Sequence, residues 1–159
     1  MELTPVTEDE FDRLAPCRKL IVHDYARRFA VAHVGDPENI VGFSWESDLI
    51  EPQILTPPST SVIWIGVDER LAALDLADGR PLLLLPLFYP FCFMEAWHEA
   101  VIVCTQLEVL VFNAGCTLCS TIGLPDIAMN MNVDGSILTV HLLDGSHVRS
   151  RLDTGQAIE

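Results

Sequence analysis

The dipeptide Asp-Gly occurs three times in this chain, at Asp78-Gly79, Asp134-Gly135 and Asp144-Gly145, each time between short runs of aliphatic residues. It is a strong hairpin signal, because both residues tolerate the positive φ that a tight two-residue turn demands. A chain punctuated in this way folds into antiparallel strands joined by short turns. The runs themselves agree. Val62 to Val67, Leu71 to Leu76 and Leu82 to Leu87 are separated by Asp68-Glu69-Arg70 and Ala77-Asp78-Gly79. The order recurs over Ala100 to Thr105, Glu108 to Phe112 and Thr117 to Ile122, with Asn113-Ala114-Gly115 as a turn, and again over Ile127 to Val133, Ile137 to Leu143 and His147 to Leu152. In the last repeat apolar and polar residues alternate: Met129, Met131 and Val133 against Asn130 and Asn132, and Leu138, Val140 and Leu142 against Thr139 and His141. Period-two alternation predicts strands with one core face and one wet face.

The first third reads differently. Thr7 followed by Glu10 is a capping-box pattern, with Glu8 and Asp9 where a helix dipole favours negative charge, so a short helix is expected from about Glu8 to Ala15, stopped by Pro16. Three strands follow, at Leu20 to His23, Phe29 to Val34 and Ile40 to Trp45. Pro52 to Ser61, with Pro57-Pro58 among Ser and Thr, reads as a connector between sub-units 1–51 and 62–152 of a single domain, 1–159. The fold class expected is all-β: consecutive antiparallel meanders, propeller-blade-like or closed into a small sandwich or barrel, with one short N-terminal helix.

Ala73-Leu74-Asp75, with Gly79 four residues on, resembles the Ala-Leu-Asp-x-x-x-Gly corner of quinoprotein-like β-propeller repeats. The resemblance extends over Val62 to Leu152, where the other two units keep only its glycine, Gly115 and Gly145. It implies blade-like meanders. A full propeller needs about four to eight blades of four strands, and no quinone or other cofactor is expected.

Charge narrows the function. Nine Lys and Arg against 23 Asp and Glu give a net charge of −14, a field that repels phosphate backbones and anionic lipid. Direct nucleic-acid and membrane binding are therefore not expected. Met1 to Glu10 is acidic and has neither the basic start nor the apolar run of a secretory signal, which makes the cytoplasm the expected location. Pro81 to Met94 is the most apolar stretch, yet it is too short and too proline-rich to span a bilayer as a helix. Its Leu82 to Leu85 run is expected to be a strand buried on both faces, or else a surface for a second subunit or partner.

Chemistry is hard to place. Cys116 and Cys119 have metal-ligand spacing, and His141, His147 or Cys104 could complete a zinc site, but the second ligand pair lacks a recognisable spacing. His23, Asp24, His33 and His98 offer bases or a carboxylate, and Ser44, Ser120 or Cys104 a nucleophile. No nucleophile elbow, phosphate loop or metalloprotease motif accompanies them. No catalytic or metal residue is assigned, and a non-enzyme is expected.

The acids are segregated. Phe29 to Glu69 contains no Lys or Arg but seven carboxylates, Asp36, Glu38, Glu46, Asp48, Glu51, Asp68 and Glu69. Gathered on one surface they would capture a basic protein, with Trp45 or Trp64 as an aromatic anchor if exposed. In size, charge and lack of catalytic motifs the chain resembles the immunity proteins of contact-dependent inhibition and other polymorphic toxin systems. That resemblance implies a cytoplasmic inhibitor of a cognate toxin, such as a basic nuclease. A structural adaptor that dimerises or docks through Pro81 to Met94 is the alternative, and a small zinc enzyme the third.

Overall fold

The computed structural model describes residues 2–35, 39–48 and 50–158. Four four-stranded sheets account for almost all of the regular structure, and no barrel closes. The chain divides into two units, Met1–Thr56 with Ser61–Pro86, and Pro57–Thr60 with Leu87–Glu159.

In the first unit, β1 (Thr4–Pro5), β3 (Arg28–His33), β4 (Ile40–Trp45) and β2 (Lys19–Ile21) form a sheet in the order β1-β3-β4-β2. β2 runs parallel to β4, and the other pairs are antiparallel. Helix α1 (Glu8–Asp12) starts on the expected capping box: the Thr7 hydroxyl accepts the Glu10 N–H, and the Glu10 carboxylate accepts the Thr7 N–H at 2.8 Å. It ends sooner than expected, at Asp12, and a 3-10 turn follows at Pro16–Arg18. Phe11 and Leu14 lie on Gly42 of β4, where an added Cβ would fall 2.5 Å from Leu14 and 2.9 Å from Phe11. Only glycine admits the helix so close to the sheet.

The second sheet, also in this unit, is a meander: β5 (Gln53–Leu55), β6 (Val62–Val67), β7 (Arg70–Asp75) and β8 (Pro81–Pro86). Its first strand lies inside the stretch read from sequence as a connector, because Gln53, Ile54 and Leu55 pair with Gly66, Ile65 and Trp64. Ile21, Phe43, Trp45, Ile63, Ile65 and Leu74 belong to the buried cluster of this unit.

The second unit repeats the meander twice. β9 (Phe91–Trp97), β10 (Ala100–Thr105), β11 (Glu108–Phe112) and β12 (Leu118–Gly123) make one sheet; β13 (Ala128–Asp134), β14 (Ile137–Leu142), β15 (His147–Arg151) and β16 (Ala157–Ile158) make the other. Ile102, Val109, Leu138, Val140 and Leu142 are core residues here. Trp97 donates its indole N–H to the Gly135 carbonyl at 2.7 Å, tying the β13–β14 turn to β9.

Sequence alternation is corrected at one place. A bulge between Ala128 and Asn130 leaves Met129 exposed, while Met131 and Val133 pack on the core as expected. One extra residue shifts every side chain before it by one position on the pleat.

The corner motif has an unexpected counterpart. In the second sheet Asp75 N–H donates to the Arg80 carbonyl, Gly79 N–H to the Asp75 carbonyl, and Leu76 N–H to the Ser61 carbonyl. In the fourth, Arg151 N–H donates to Gln156, Gly155 N–H to Arg151, and Leu152 N–H to Ser136. The repeat of Leu76 and Gly79 is therefore Leu152 and Gly155, and Gly145 belongs to the preceding hairpin.

Candidate functional site

The apolar segment Pro81 to Met94 is neither one strand nor buried on both faces. It splits into β8 and β9, and β8 is the edge of its sheet. Leu82 is 38% and Leu84 53% exposed, with Pro81 and Pro86 also on the surface; in the second unit Phe88 is 90% exposed. The strand is exposed because, among the described residues, nothing but β7 pairs with it and its other flank meets no strand. A bulge between Ala73 and Leu74 loops Leu82 out of register, and prolines close both ends. Prolines and bulges blunt an edge against strand addition. What remains available is side-chain contact.

β2 is the matching edge of the first sheet. Val22, just after it, is 46% exposed. Leu20, Ile21 and Val22 face Leu84, Leu85 and Pro86 across a cavity of 340 Å³, with Arg70 and Leu71 completing its lining. Scattered surface leucines are ordinary; here exposed Val22 and Leu84 border one groove between two edge strands.

The carboxylates expected to form a free acidic face are placed otherwise. Asp36 and Glu38 lie outside the described residues. Glu46, Asp48 and Glu51 are exposed and follow β4, but the β3–β4 pairing sets Arg28 opposite Trp45, so Arg27 and Arg28 stand beside them. Arg28 binds Glu51 at 2.8 Å and Asp48 at 3.3 Å, and Arg27 lies 3.6 Å from Asp48. Glu46 faces His23 at 3.8 Å. Asp68 is buried, and its carboxylate accepts the Glu46 N–H at 2.6 Å. Glu69 is half-buried. The two tryptophans proposed as anchors are core residues, Trp45 at 5% and Trp64 at 2% exposure, so neither offers a surface ring.

The remaining chemistry does not converge. Cys116 is buried in the turn after β11 with a φ of +59°, whereas Cys119 is exposed on β12. Among the described residues no group of three His, Cys, Asp or Glu is arranged to hold a metal ion. Burial pushes the Cys104 thiol up to about 12, with Cys92 adding to the effect, which leaves it protonated and unreactive. Ser44 is buried, and its hydroxyl accepts the backbone N–H of His23 rather than facing the imidazole. His141 and His147 are both exposed on the fourth sheet, their ring centroids 6.2 Å apart and their planes tilted by 47°. Among the described residues no helix is long and apolar enough to cross a membrane.

No family model matches the chain, and no curated protein sequence matches it. Solved structures do. The dihydro-heme d1 dehydrogenase NirN superposes with a TM-score of 0.60 at 10% identity, covering 82% of this chain and 32% of its own. BamB from Moraxella catarrhalis gives 0.54 at 14%, covering 99% and 51%. BBS1N, solved in complex with ARL6DN, gives 0.54 at 9%, covering 86% and 47%. The chain thus spans about half or less of the length of each of these proteins. At such identities the likeness is one of fold, and it agrees with the four-stranded sheets and the repeated corner: this chain is built from meanders like the blades of a β-propeller.

Proposed function

We propose that the protein is a non-catalytic docking module that holds a partner protein on the apolar groove between β2 and β8. The observation that carries this is the pair of exposed side chains Leu84 and Val22 on the groove, beside a β8 edge that prolines and a bulge make unfit for strand pairing. The partner is a separate protein presenting apolar side chains flanked by Lys or Arg. A net charge of −14 opposes the approach of a second copy and favours a basic surface. Neighbours of this fold include one solved with a protein bound, BBS1N with ARL6DN, which supports a protein partner in general.

The test is a titration of the purified partner against Val22→Asp/Leu84→Asp. A desolvated contact at an interface centre is worth about 2 kcal/mol or more, so the loss of even one of the two should weaken binding at least about thirtyfold. Unchanged affinity would overturn the groove, and a dimer at micromolar concentration that the variant disperses would make a second copy the occupant.

A narrower reading, an immunity protein that plugs a basic nuclease toxin, is favoured by the net charge. It draws less from the carboxylates first assigned to it, since Arg27 and Arg28 already pair with Asp48 and Glu51. Under that reading Glu46→Lys with Glu69→Lys should abolish tight binding and flatten its salt dependence. Under the groove reading it should change affinity only a few-fold.

A further inference from the structure

The fourth sheet carries two imidazoles that a docking role leaves unused. The pairing of β14 with β15 sets His141 directly opposite His147. The Leu142 N–H donates to the Ser146 carbonyl at 2.9 Å, which makes Leu142 and Ser146 a hydrogen-bonded pair and the next pair along, His141 and His147, a non-hydrogen-bonded one. Side chains stand closest at such pairs, where the Cα atoms are about 4.5 Å apart. Val140 and Leu142 turn to the core, so both histidines project from the opposite, wet face.

The rings are near each other and otherwise unengaged. Their centroids lie 6.2 Å apart, and among the described residues no hydrogen bond holds either imidazole. Two imidazoles that share one tetrahedral ion, at metal–nitrogen distances of about 2.0–2.1 Å, hold their centroids roughly 5 Å apart. Rotation of two exposed side chains closes that difference. Asn130 stands opposite His141 on the other flank, but its Oδ1 already accepts the Met131 N–H at 2.8 Å. Arg149 is half-buried two residues beyond His147, opposite Thr139. The chain therefore supplies two nitrogen donors here, and its net charge of −14 favours the approach of a cation.

We propose that His141 and His147 together chelate a late first-row divalent ion, with water in its remaining coordination positions. Imidazole suits Ni²⁺, Cu²⁺ and Zn²⁺, which lie at the tight-binding end of the divalent series. Once one ring has bound the ion, the second bond is intramolecular, and two weak contacts become one chelate. The site needs neither Cys116 nor Cys119, and it is independent of the groove between β2 and β8.

The probe is Ni²⁺, because the exposed thiols of Cys17 and Cys119 compete for Zn²⁺ and reduce Cu²⁺. Calorimetry of the full chain in a slightly alkaline buffer, where protons compete least for imidazole, should show saturable binding of one ion per chain. In ¹⁵N spectra the paramagnetic ion should broaden the amides of His141 and His147 first. His141→Asn and His147→Asn change exposed side chains and spare the core. Each should weaken binding at least about tenfold, and the double variant should lose little more, since either change alone breaks the chelate. His98→Asn, at an exposed histidine elsewhere in the second unit, should leave the affinity as it is. Three results would each overturn the proposal: no saturable binding up to millimolar Ni²⁺, single variants that lose no more affinity than His98→Asn, or broadening centred on Cys119 or His98 instead.

Discussion

The second and fourth sheets are the same hairpin array with opposite fates for one face. Aligned on their shared corner, Ile63, Ile65 and Val67 of β6 match Leu138, Val140 and Leu142 of β14, and all six are buried. On the reverse face the match breaks: Trp64, Leu71 and Ala73 are buried, whereas Thr139, His147 and Arg149 occupy their places and are half-buried or exposed. Turn chemistry therefore sets the sheet, and the alternate residues decide whether it is covered on one side or two.

The sharpest way to break this comparison is to exchange the differing residues. Trp64→Thr places the fourth sheet's residue in the second, and should cost about 3–5 kcal/mol by loss of a buried indole, read by urea unfolding of the whole chain. The reverse change on the wet face, Thr139→Val, should stay within about 0.5 kcal/mol. Comparable costs would mean that the two faces are not distinct.

The corner offers a test of sameness. Gly79 and Gly155 have φ of +70° and +68°, and a Cβ at either would meet nothing closer than 3.5 Å. Space is not the obstacle, so Gly79→Ala and Gly155→Ala should each cost about 1–2 kcal/mol, the penalty of a left-handed conformation alone. A large difference between them would dissolve the structural repeat. Smallest of all is a titration effect. The hydrogen bond from Arg151 holds the Asp153 carboxyl below the usual aspartate range. A lowered carboxyl contributes stability that is present above its ordinary pKa and lost as pH falls through the folded value. Arg151→Gln should return Asp153 to the ordinary range in an NMR titration and remove that slice of acid dependence.

Much of this fold is legible in the sequence. Tight turns and β-branched runs located the inner strands of each meander, and the Thr7–Glu10 box located the helix start. One outer strand of each meander, β5, β9 and β16, is not legible there, for physical reasons. Gln53–Leu55 is too short and too close to Pro57-Pro58 to stand out, and it becomes a strand only because β6 offers an edge. The Leu82 to Leu85 run looked like core because burial is read from composition, while exposure is decided by which neighbour the strand lacks. The acidic face failed similarly. Arg27 and Arg28 are some twenty residues from Asp48 and Glu51, and only the β3–β4 register brings them together. Pairing those two runs in the sequence would have exposed the neutralisation.

Amide hydrogen exchange of this protein, free and with its purified partner, tests the docking groove most directly. Protection on binding should be confined to residues 20–22 and 82–85. Protection that instead falls on residues 46–51 and 68–69, with β2 and β8 unchanged, would contradict the groove and return the interface to the carboxylates.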